Sequence, residues 1–325
     1  MHRYSYYKTA ACTLNVSIGD PQANKEEILK CIQELDSDTQ LVVFPELCIT
    51  GYTCQDLFYE HTLLNRAKQV LFEIVEELPE NLVTVIGLPL EIENKLYNCA
   101  AICFNHDILG IQVKTYIPSY NEFYETRWFS SASELKENTT FTYKNKKVPV
   151  SNHIVFKDTT TSACLGIEIC EDLWVTIPVS STHALAGANV LCNLSASNEI
   201  ISKANYRRNL VKDQSAKCYA GYVYASAGPT ESSSDLVFSG HNLICENGAI
   251  LSETKTDKII YGQIDLDHLN HDRLHYKTSM QDLFHVNYTT VEFTSKPIEE
   301  IEFDRYIDAY PFVPNNQDER IVRCL

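Results

Sequence analysis

Residues 39–46 read TQLVVFPE, a short apolar run that ends in proline and glutamate. Consecutive apolar residues without polar alternation are typical of a strand that is buried on both faces of its sheet. Such a strand needs a further layer of helices or strands over each face. The stretch therefore predicts an α/β fold with a buried sheet, and it places Glu46 at the end of one strand.

Strands and helices alternate along most of the chain. Helices are predicted, from apolar positions at helical spacing, over 24–35, from about Asp56 to Glu77, near 178–187 and over 202–219. Further buried strands are predicted over 8–16, 82–90, 162–170, 189–197 and 222–227, and hairpins over 100–114 and 241–254. We therefore predict two sheets covered by helices in one α/β unit.

Two segments lack this alternation. Residues 130–147, SSASELKENTTFTYKNKK, are polar and predict an exposed insertion. After about residue 290 the pattern decays, and the chain ends YPFVPNNQDERIVRCL, which is typical of a linker. The expected organisation is one folded domain over 1–296, followed by a linker or interface segment over 297–325.

Charge and cysteine content exclude several classes of function. Lysine and arginine total 27 and aspartate and glutamate 43, so the net charge of −16 argues against nucleic acid as a partner. The 12 cysteines include no C-x-x-C pair, so no metal site is predicted. No apolar run is long enough for a membrane span, and the first residues carry no apolar signal segment. We expect a cytoplasmic protein with reduced thiols that acts on a small polar substrate or another protein.

The stretch GIEICEDLW (166–174) contains a cysteine surrounded by acids. A thiol attacks as its thiolate, and the charges of Glu168, Glu171 and Asp172 oppose its ionisation. Cys170 is therefore either an inert core residue or a nucleophile whose base and positive charge come from elsewhere in the chain.

Two other strand ends offer these missing groups. Glu46 ends the apolar strand and can take the thiol proton, and Lys114 ends the strand ILGIQVK (108–114) and can supply the positive charge. A lysine at such a position is, by itself, most often just a solvated strand end. Together, a carboxylate, an ammonium and a thiol at three strand ends predict a nucleophilic site built on Cys170.

Three stretches resemble the signatures of the nitrilase, or carbon–nitrogen hydrolase, superfamily. They are FPELCITGY around Glu46, KTYIPSYNEFYE from Lys114 and GIEICEDLW around Cys170. Five blocks further resemble the glutaminase domain of glutamine-dependent NAD synthetases: TGYTCQDLF (50–58), YIPSYNEFYETRWF (116–129), EICEDLWVTIPVSS (168–181), LSASN (194–198) and YPFVP (310–314). The resemblance covers about residues 5–315, interrupted mainly at 130–147.

This resemblance implies an αββα sandwich that hydrolyses L-glutamine to glutamate and ammonia through a cysteine thioester. Glu46, Lys114 and Cys170 fall on the catalytic positions. The positions that would hold the glutamine fall on Tyr120, Ser197 and Lys203, and Glu171 would hold its α-amino group. Tyr52 would line the pocket, and Glu122 would orient the lysine and the substrate. Some relatives have arginine where this chain has Lys203, which puts a bidentate grip on the α-carboxylate in doubt.

The synthetase half of such enzymes carries a phosphate-binding loop of the form S-G-G-x-D-S, and no such stretch occurs in this sequence. The resemblance therefore implies no cofactor for the glutaminase reaction, whereas ATP and Mg belong to a synthetase domain that this chain lacks. We expect that domain as a partner, and a homo-oligomer. Two alternatives stay open: a nitrilase-type amidase for another small amide, and an inactive homologue that scaffolds a synthetase.

Overall fold

The computed structural model describes residues 5–278, 280–281, 285–298, 302–307 and 309. Its helices are α1 (Pro21–Gln33), α2 (His61–Glu77), α3 (Val179–Leu185), α4 (Lys203–Lys217) and α5 (Leu266–His275). Its strands are β1 (Tyr6–Cys12), β2 (Leu41–Val43), β3 (Val83–Ile92), β4 (Lys95–Phe104), β5 (Asp107–Val113), β6 (Ser119–Tyr120), β7 (Phe123–Tyr124), β8 (Thr140–Tyr143), β9 (Lys146–Ser151), β10 (Ile154–Asp158), β11 (Cys164–Ile169), β12 (Val190–Ser195), β13 (Gly221–Ser226), β14 (Asn242–Glu246), β15 (Ala249–Thr254), β16 (Ile259–Asp265) and β17 (Thr289–Phe293).

Two mixed sheets form the centre of the molecule. The first has the strand order β16-β1-β2-β3-β4-β5-β9-β8, and the second has the order β15-β14-β13-β12-β11-β10-β17. Strands β1, β2 and β3 are parallel in the first sheet, as are β11, β12 and β13 in the second. The carboxyl ends of neighbouring parallel strands lie at one edge of a sheet, so residues that follow these strands are brought close together.

Apolar clusters join the sheets and helices into four layers. The two sheets pack face to face across a core that includes Val43, Val85, Ile102, Ile167 and Val223. Helices α1 and α2 cover the outer face of the first sheet, and α3 and α4 cover the outer face of the second. The predicted αββα sandwich is thereby confirmed.

Strand β2 shows why the run LVVF has no polar position. Leu41 and Val43 face the second sheet, whereas Val42 and Phe44 face the helices of the first layer. All four side chains are fully buried. Burial of an aliphatic or aromatic side chain contributes roughly 1.5–3 kcal/mol, so both faces of the strand require apolar residues.

The prediction of an exposed insertion at 130–147 is wrong for the part that forms strands, although most side chains of the segment are exposed. Strands β8 and β9 lie there, and they extend the first sheet beyond β5. In β8 the buried Phe141 and Tyr143 alternate with the exposed Thr140 and Thr142. This two-residue period is short and lies among many polar residues, which hid it from the composition.

Two boundaries also differ from the predictions. The helix expected from Asp56 begins at His61, because residues Gln55–Tyr59 form a separate 3-10 turn. The pattern expected to decay after residue 290 continues as β17, which pairs in parallel with β10.

Part of the predicted 297–325 segment lies against the domain. The Gln263 side chain donates to the Glu302 carbonyl at 2.5 Å, and the Arg305 guanidinium pairs with the Glu246 carboxylate. The YPFVP motif lies outside the described residues. The division of the chain at residue 296 stays a prediction.

Candidate active site

Three strand ends place a carboxylate, an ammonium and a thiol side by side. Glu46 follows β2, Lys114 follows β5 directly, and Cys170 follows β11 directly. The Nζ atom of Lys114 lies 2.6 Å from Oε1 of Glu46. Both charged groups are buried and the thiol is only 7 % exposed. The structure thus brings together the three residues that the sequence selects.

Both sheets fix the Glu46 carboxylate. Asn98 of β4 donates its side-chain amide to Oε1 at 2.7 Å, and the backbone N–H of Ala196, after β12, donates to Oε2 at 2.8 Å. Gly87 of β3 allows the backbone next to Glu46 to pack closely against β3, because a Cβ atom on residue 87 would lie 2.5 Å from the Pro45 carbonyl oxygen. The carboxylate is therefore held in one orientation beside Lys114.

A second carboxylate holds Lys114. Its Nζ atom donates to both oxygens of Glu125 at 2.8 Å, and the Tyr52 hydroxyl donates to Glu125 Oε1 at 2.7 Å. Burial opposes the charge on Lys114, but the Glu125 and Glu46 carboxylates outweigh it and raise the lysine pKa well above its usual value. Lys114 is therefore a permanent cation.

The prediction that Glu122 orients Lys114 is wrong, because Glu125 occupies that place. Strands β6 and β7 form a tight hairpin whose turn contains Glu122. At this tip Glu122 accepts a hydrogen bond from the Asn198 side-chain amide. Glu125 follows the returning strand, and its backbone N–H bonds to the Pro118 carbonyl. The hairpin directs the two glutamates to different partners, and linear spacing from Lys114 does not reveal this.

Cys170 lies in a strained turn. Its φ angle of 46° falls in the left-handed region, which is uncommon for a residue other than glycine, and Cys170–Leu173 form a 3-10 turn. Asp172 holds this turn by accepting hydrogen bonds from the backbone N–H groups of Ile169, Thr115 and Tyr116. The same carboxylate therefore joins the cysteine turn to the segment that follows Lys114.

The other acidic neighbours of Cys170 also have partners. Glu168 is buried and accepts from the Ser180 backbone N–H at 2.7 Å and from the Tyr222 hydroxyl. Both oxygens of Glu171 accept from the Tyr120 hydroxyl at 2.9 Å. Each flanking carboxylate is thus tied to another part of the molecule.

The thiol of Cys170 is nevertheless a weak acid. Burial raises its pKa well above its usual range, Glu46 raises it further, and Lys114 opposes both. A resting thiolate is therefore disfavoured, and attack by the sulfur requires transfer of the proton to a base as the bond forms. Among the predicted groups, Glu46 is the base available for that transfer.

The predicted substrate residues are hydrogen-bonded to one another or to neighbouring side chains. Tyr120 contacts Glu171, as described above. The Lys203 ammonium donates to the Asn198 side-chain carbonyl oxygen, and Asn198 in turn donates to Glu122. Lys203 Nζ also lies 5.3 Å from the centre of the Phe123 ring. The Ser197 hydroxyl accepts from the buried Arg207 at 3.1 Å. Their contacts to a substrate stay predictions.

A small, partly open pocket adjoins these groups, and its lining includes Tyr52, Glu122, Phe123 and Glu125. Across the described ranges, no cluster of three histidine, cysteine, aspartate or glutamate side chains suits a metal ion. In that same part of the chain, no helix combines the length and apolar character that a membrane span needs.

Comparison with known proteins places the chain in a family. The carbon–nitrogen hydrolase family model matches residues 8–273. The chain belongs to the carbon–nitrogen hydrolase family. Its fold agrees with that of a carbon–nitrogen hydrolase from Helicobacter pylori, at a TM-score of 0.68 and 17% identity over 87% of this chain and 98% of that one.

Within the carbon–nitrogen hydrolase family, the chain is similar to glutamine-dependent NAD(+) synthetases. The Mycobacterium bovis protein of that name is 35% identical over 96% of this chain and 48% of its own length. The human protein is 30% identical over 75% of this chain and 35% of its own. The structure of the Cytophaga hutchinsonii enzyme superposes with a TM-score of 0.71 at 29% identity, over 80% of this chain and 43% of that one. The chain thus spans about half the length of the curated relatives it matches.

The sequence did not single out four further residues of the site. Glu125 and Asp172 stand in blocks already selected for their motifs, so each could have been proposed as a site residue. Asn98 is a polar residue in the otherwise apolar end of β4, which is a weak signal. Arg207 gives no signal, because a charged residue on a largely polar helix is ordinarily exposed.

Proposed function

We propose that this chain hydrolyses L-glutamine to glutamate and ammonia through a thioester on Cys170. One observation supports this above the others: the Lys114 ammonium is held between the Glu46 and Glu125 carboxylates, beside a buried thiol at a strand end. The names of the relatives support glutamine as the amide that is hydrolysed.

The first half-reaction forms the thioester. Glu46 takes the proton of Cys170 as the sulfur bonds to the side-chain carbonyl carbon of glutamine. Lys114 stabilises the negative charge that develops on the carbonyl oxygen. Glu46 then gives its proton to the amide nitrogen, the carbon–nitrogen bond breaks, and ammonia leaves.

The second half-reaction consumes water. Glu46 takes a proton from water as the oxygen attacks the thioester carbon, and Lys114 again stabilises the oxyanion. The carbon–sulfur bond then breaks, and the sulfur regains a proton from Glu46. One glutamine and one water give one glutamate and one ammonia, so every group of the protein returns to its starting state.

The charges around the site favour an amino-acid amide over a simple amide. The Glu171 carboxylate suits an α-ammonium group, and the Lys203 ammonium suits an α-carboxylate. Both side chains are only partly exposed, so water screens them less than it screens a surface pair. An amide without these charged groups would leave both residues without a substrate partner.

Ammonia release tests this proposal. Purified protein should release ammonia from glutamine with a higher kcat/KM than from asparagine or butyramide, which carries the same reacting amide without the α-groups. The Cys170→Ala protein should release none, whereas Cys164→Ala should keep the activity. Equal rates with glutamine and butyramide would favour the alternative of a general small-amide hydrolase. Equal inactivity of all forms, with the fold retained, would favour a scaffold.

We further propose that the ammonia is used by an ATP-dependent NAD synthetase partner. The relatives carry that name, and this chain spans about half of their length. ATP and Mg would belong to the partner. The purified chain supplied with deamido-NAD, ATP, magnesium and ammonium should form no NAD, and addition of a synthetase domain with an S-G-G-x-D-S loop should start synthesis. NAD formation by the chain alone would contradict this assignment.

A further inference from the structure

Arg207 on helix α4 is a fully buried arginine that does not take part in the proposed chemistry. Its side chain has 0 % exposure. The guanidinium donates to the Ser197 hydroxyl at 3.1 Å and to the Asn198 carbonyl at 2.9 Å. It also donates to His241 Nδ1 at 2.9 Å. An arginine buried in this way is costly unless its N–H groups find acceptors, and here most of them point to one short segment.

The segment 196–198, which Arg207 holds, contacts both the catalytic carboxylate and the predicted glutamine-binding residues. The Ala196 backbone N–H bonds to Glu46. Ser197 is a predicted glutamine contact, and the Asn198 side chain accepts from the Lys203 ammonium. A shift of this segment would therefore move the groups that meet the amino-acid end of glutamine.

Lys203 and Arg207 also share one face of the same helix. They are four residues apart in α4, so their side chains lie one above the other. Lys203 reaches the side chain of Asn198 while Arg207 holds its backbone. The helix thus contacts the segment through two cations with different tasks.

We propose that Arg207 is a positioning residue for glutamine recognition, which fixes Ser197 and Asn198 where they and Lys203 bind the amino-acid end of the substrate. This inference rests on the proposed function. It assigns Arg207 no contact with the reacting amide.

A second set of contacts holds Arg207 itself. Its guanidinium pairs with Glu199 at 3.3 Å. Because arginine only donates, His241 Nδ1 must accept, and the His241 proton therefore lies on Nε2, which donates to Glu253 at 2.7 Å. Removing the guanidinium would leave the Asn198 carbonyl and His241 Nδ1 without this donor, so the segment would rearrange.

Glutamine binding to the Cys170→Ala protein, measured by calorimetry, tests the inference without turnover. Arg207→Met should raise the glutamine Kd by about 10–100-fold, the loss expected when hydrogen bonds that involve charged groups are removed. Arg207→Lys keeps the positive charge but loses the planar guanidinium with its several N–H donors. Its glutamine Kd should therefore lie between those of Arg207→Met and the parent protein. In active protein, Arg207→Met should raise KM by a larger factor than it lowers kcat.

Lys217 provides the control. It lies at the far end of the same helix, and its side chain is exposed. Lys217→Met should leave the glutamine Kd within about twofold of the parent, which is inside the usual range of surface changes. If Arg207→Met fails to fold, Glu199→Gln can replace it, because this change removes the charged partner of the Arg207 guanidinium. It should raise the glutamine Kd by several fold.

The outcomes separate this inference from the proposed function. Glutamine binding that is unchanged in folded Arg207→Met, or in Glu199→Gln when Arg207→Met does not fold, would overturn the inference alone. A lowered unfolding midpoint with unchanged Kd would show a merely structural role and would also overturn it. Failure of the parent Cys170→Ala protein to bind glutamine would overturn both. Glutamine binding without any turnover in the wild type would overturn only the proposed function.

Discussion

Lys114 Nζ lies 2.6 Å from Oε1 of Glu46, and both side chains are shielded from solvent. Glu125 is a second carboxylate on Lys114, so removing Lys114 would leave two buried carboxylates uncompensated, whereas removing Glu46 would leave the Lys114–Glu125 pair. Breaking a buried pair by removing one partner costs about 3–5 kcal/mol, so loss of Lys114 should weaken the fold more than loss of Glu46.

Glu46→Gln should lower kcat for glutamine by about 10²–10⁴-fold with a small effect on KM, because an amide cannot take the thiol proton. Steady-state ammonia release measures both constants. Glu60→Gln, which changes an exposed carboxylate before α2, is the matched control. Near-normal turnover of Glu46→Gln would rule out its role as the base.

Glu125→Gln and Glu122→Gln should have different kinetic effects. Glu125 contacts Lys114 through both oxygens, so its neutralisation should lower kcat by at least about tenfold through a misplaced cation. Glu122 contacts Asn198, so its neutralisation should act mainly on KM. The two proteins can be compared in one assay. A larger fall in kcat for Glu122→Gln than for Glu125→Gln would contradict the assignment of Glu125 as the residue that orients Lys114 for catalysis.

Labelling can distinguish catalytic geometry from thiol acidity. Cys164 and Cys170 are 8% and 7% exposed. Burial raises the Cys164 pKa to about 11, and the Cys170 pKa is raised further. Acidity alone therefore favours Cys164. A glutamine-like diazoketone should nevertheless label Cys170 first, because Glu46 and Lys114 assist its attack. Peptide mapping after short exposure identifies the site, and faster labelling of Cys164 would contradict the account.

Protonation of His183 should destabilise the folded state at acidic pH. Burial lowers the pKa of His183 to about 4, and its Nε2–H donates to the Ile167 carbonyl at 2.7 Å. The folded state binds the second ring proton, on Nδ1, less well than the unfolded state does. The stability that this difference contributes is therefore present above pH ~6.5 and is lost as the pH falls towards 4. The loss at pH 5 should be about 2 kcal/mol from this residue.

Denaturant unfolding of the wild type and His183→Gln at pH 7 and pH 5 measures the contribution of His183. The variant keeps a donor for the Ile167 carbonyl but has no group that titrates in this range. Its loss of unfolding free energy between the two pH values should be smaller than that of the wild type. Equal losses in the two proteins would contradict the assignment to His183.

The features of the fold that follow from continuous apolar runs were predictable. β2, β3, β11 and β12 are buried on both faces, so their sequences have few polar positions and are easily recognised. β8 was not recognised, because its alternation spans only four residues among polar neighbours. Local composition therefore predicts a strand that is buried on both faces better than it predicts a strand at the edge of a sheet.

The catalytic groups were predictable for a similar reason, since each directly follows a recognisable strand or motif. Glu125 was not, because the choice between it and Glu122 depends on a hairpin that forms in three dimensions. The role of Arg207 depends on contacts with a segment ten residues away and with His241, which precedes β14. Residues whose role rests on such tertiary contacts leave no periodic signal in the chain.

A thioester on Cys170 is the intermediate that the proposed hydrolysis of glutamine requires. Mass spectrometry of protein that is acid-quenched during turnover of glutamine detects it. A glutamyl adduct is expected on the peptide that contains Cys170, and hydroxylamine should remove it as glutamyl hydroxamate. The adduct should persist in Cys164→Ala and be absent in Cys170→Ala. Glutamine hydrolysis that continues in Cys170→Ala, or an adduct on any other residue, would contradict the account.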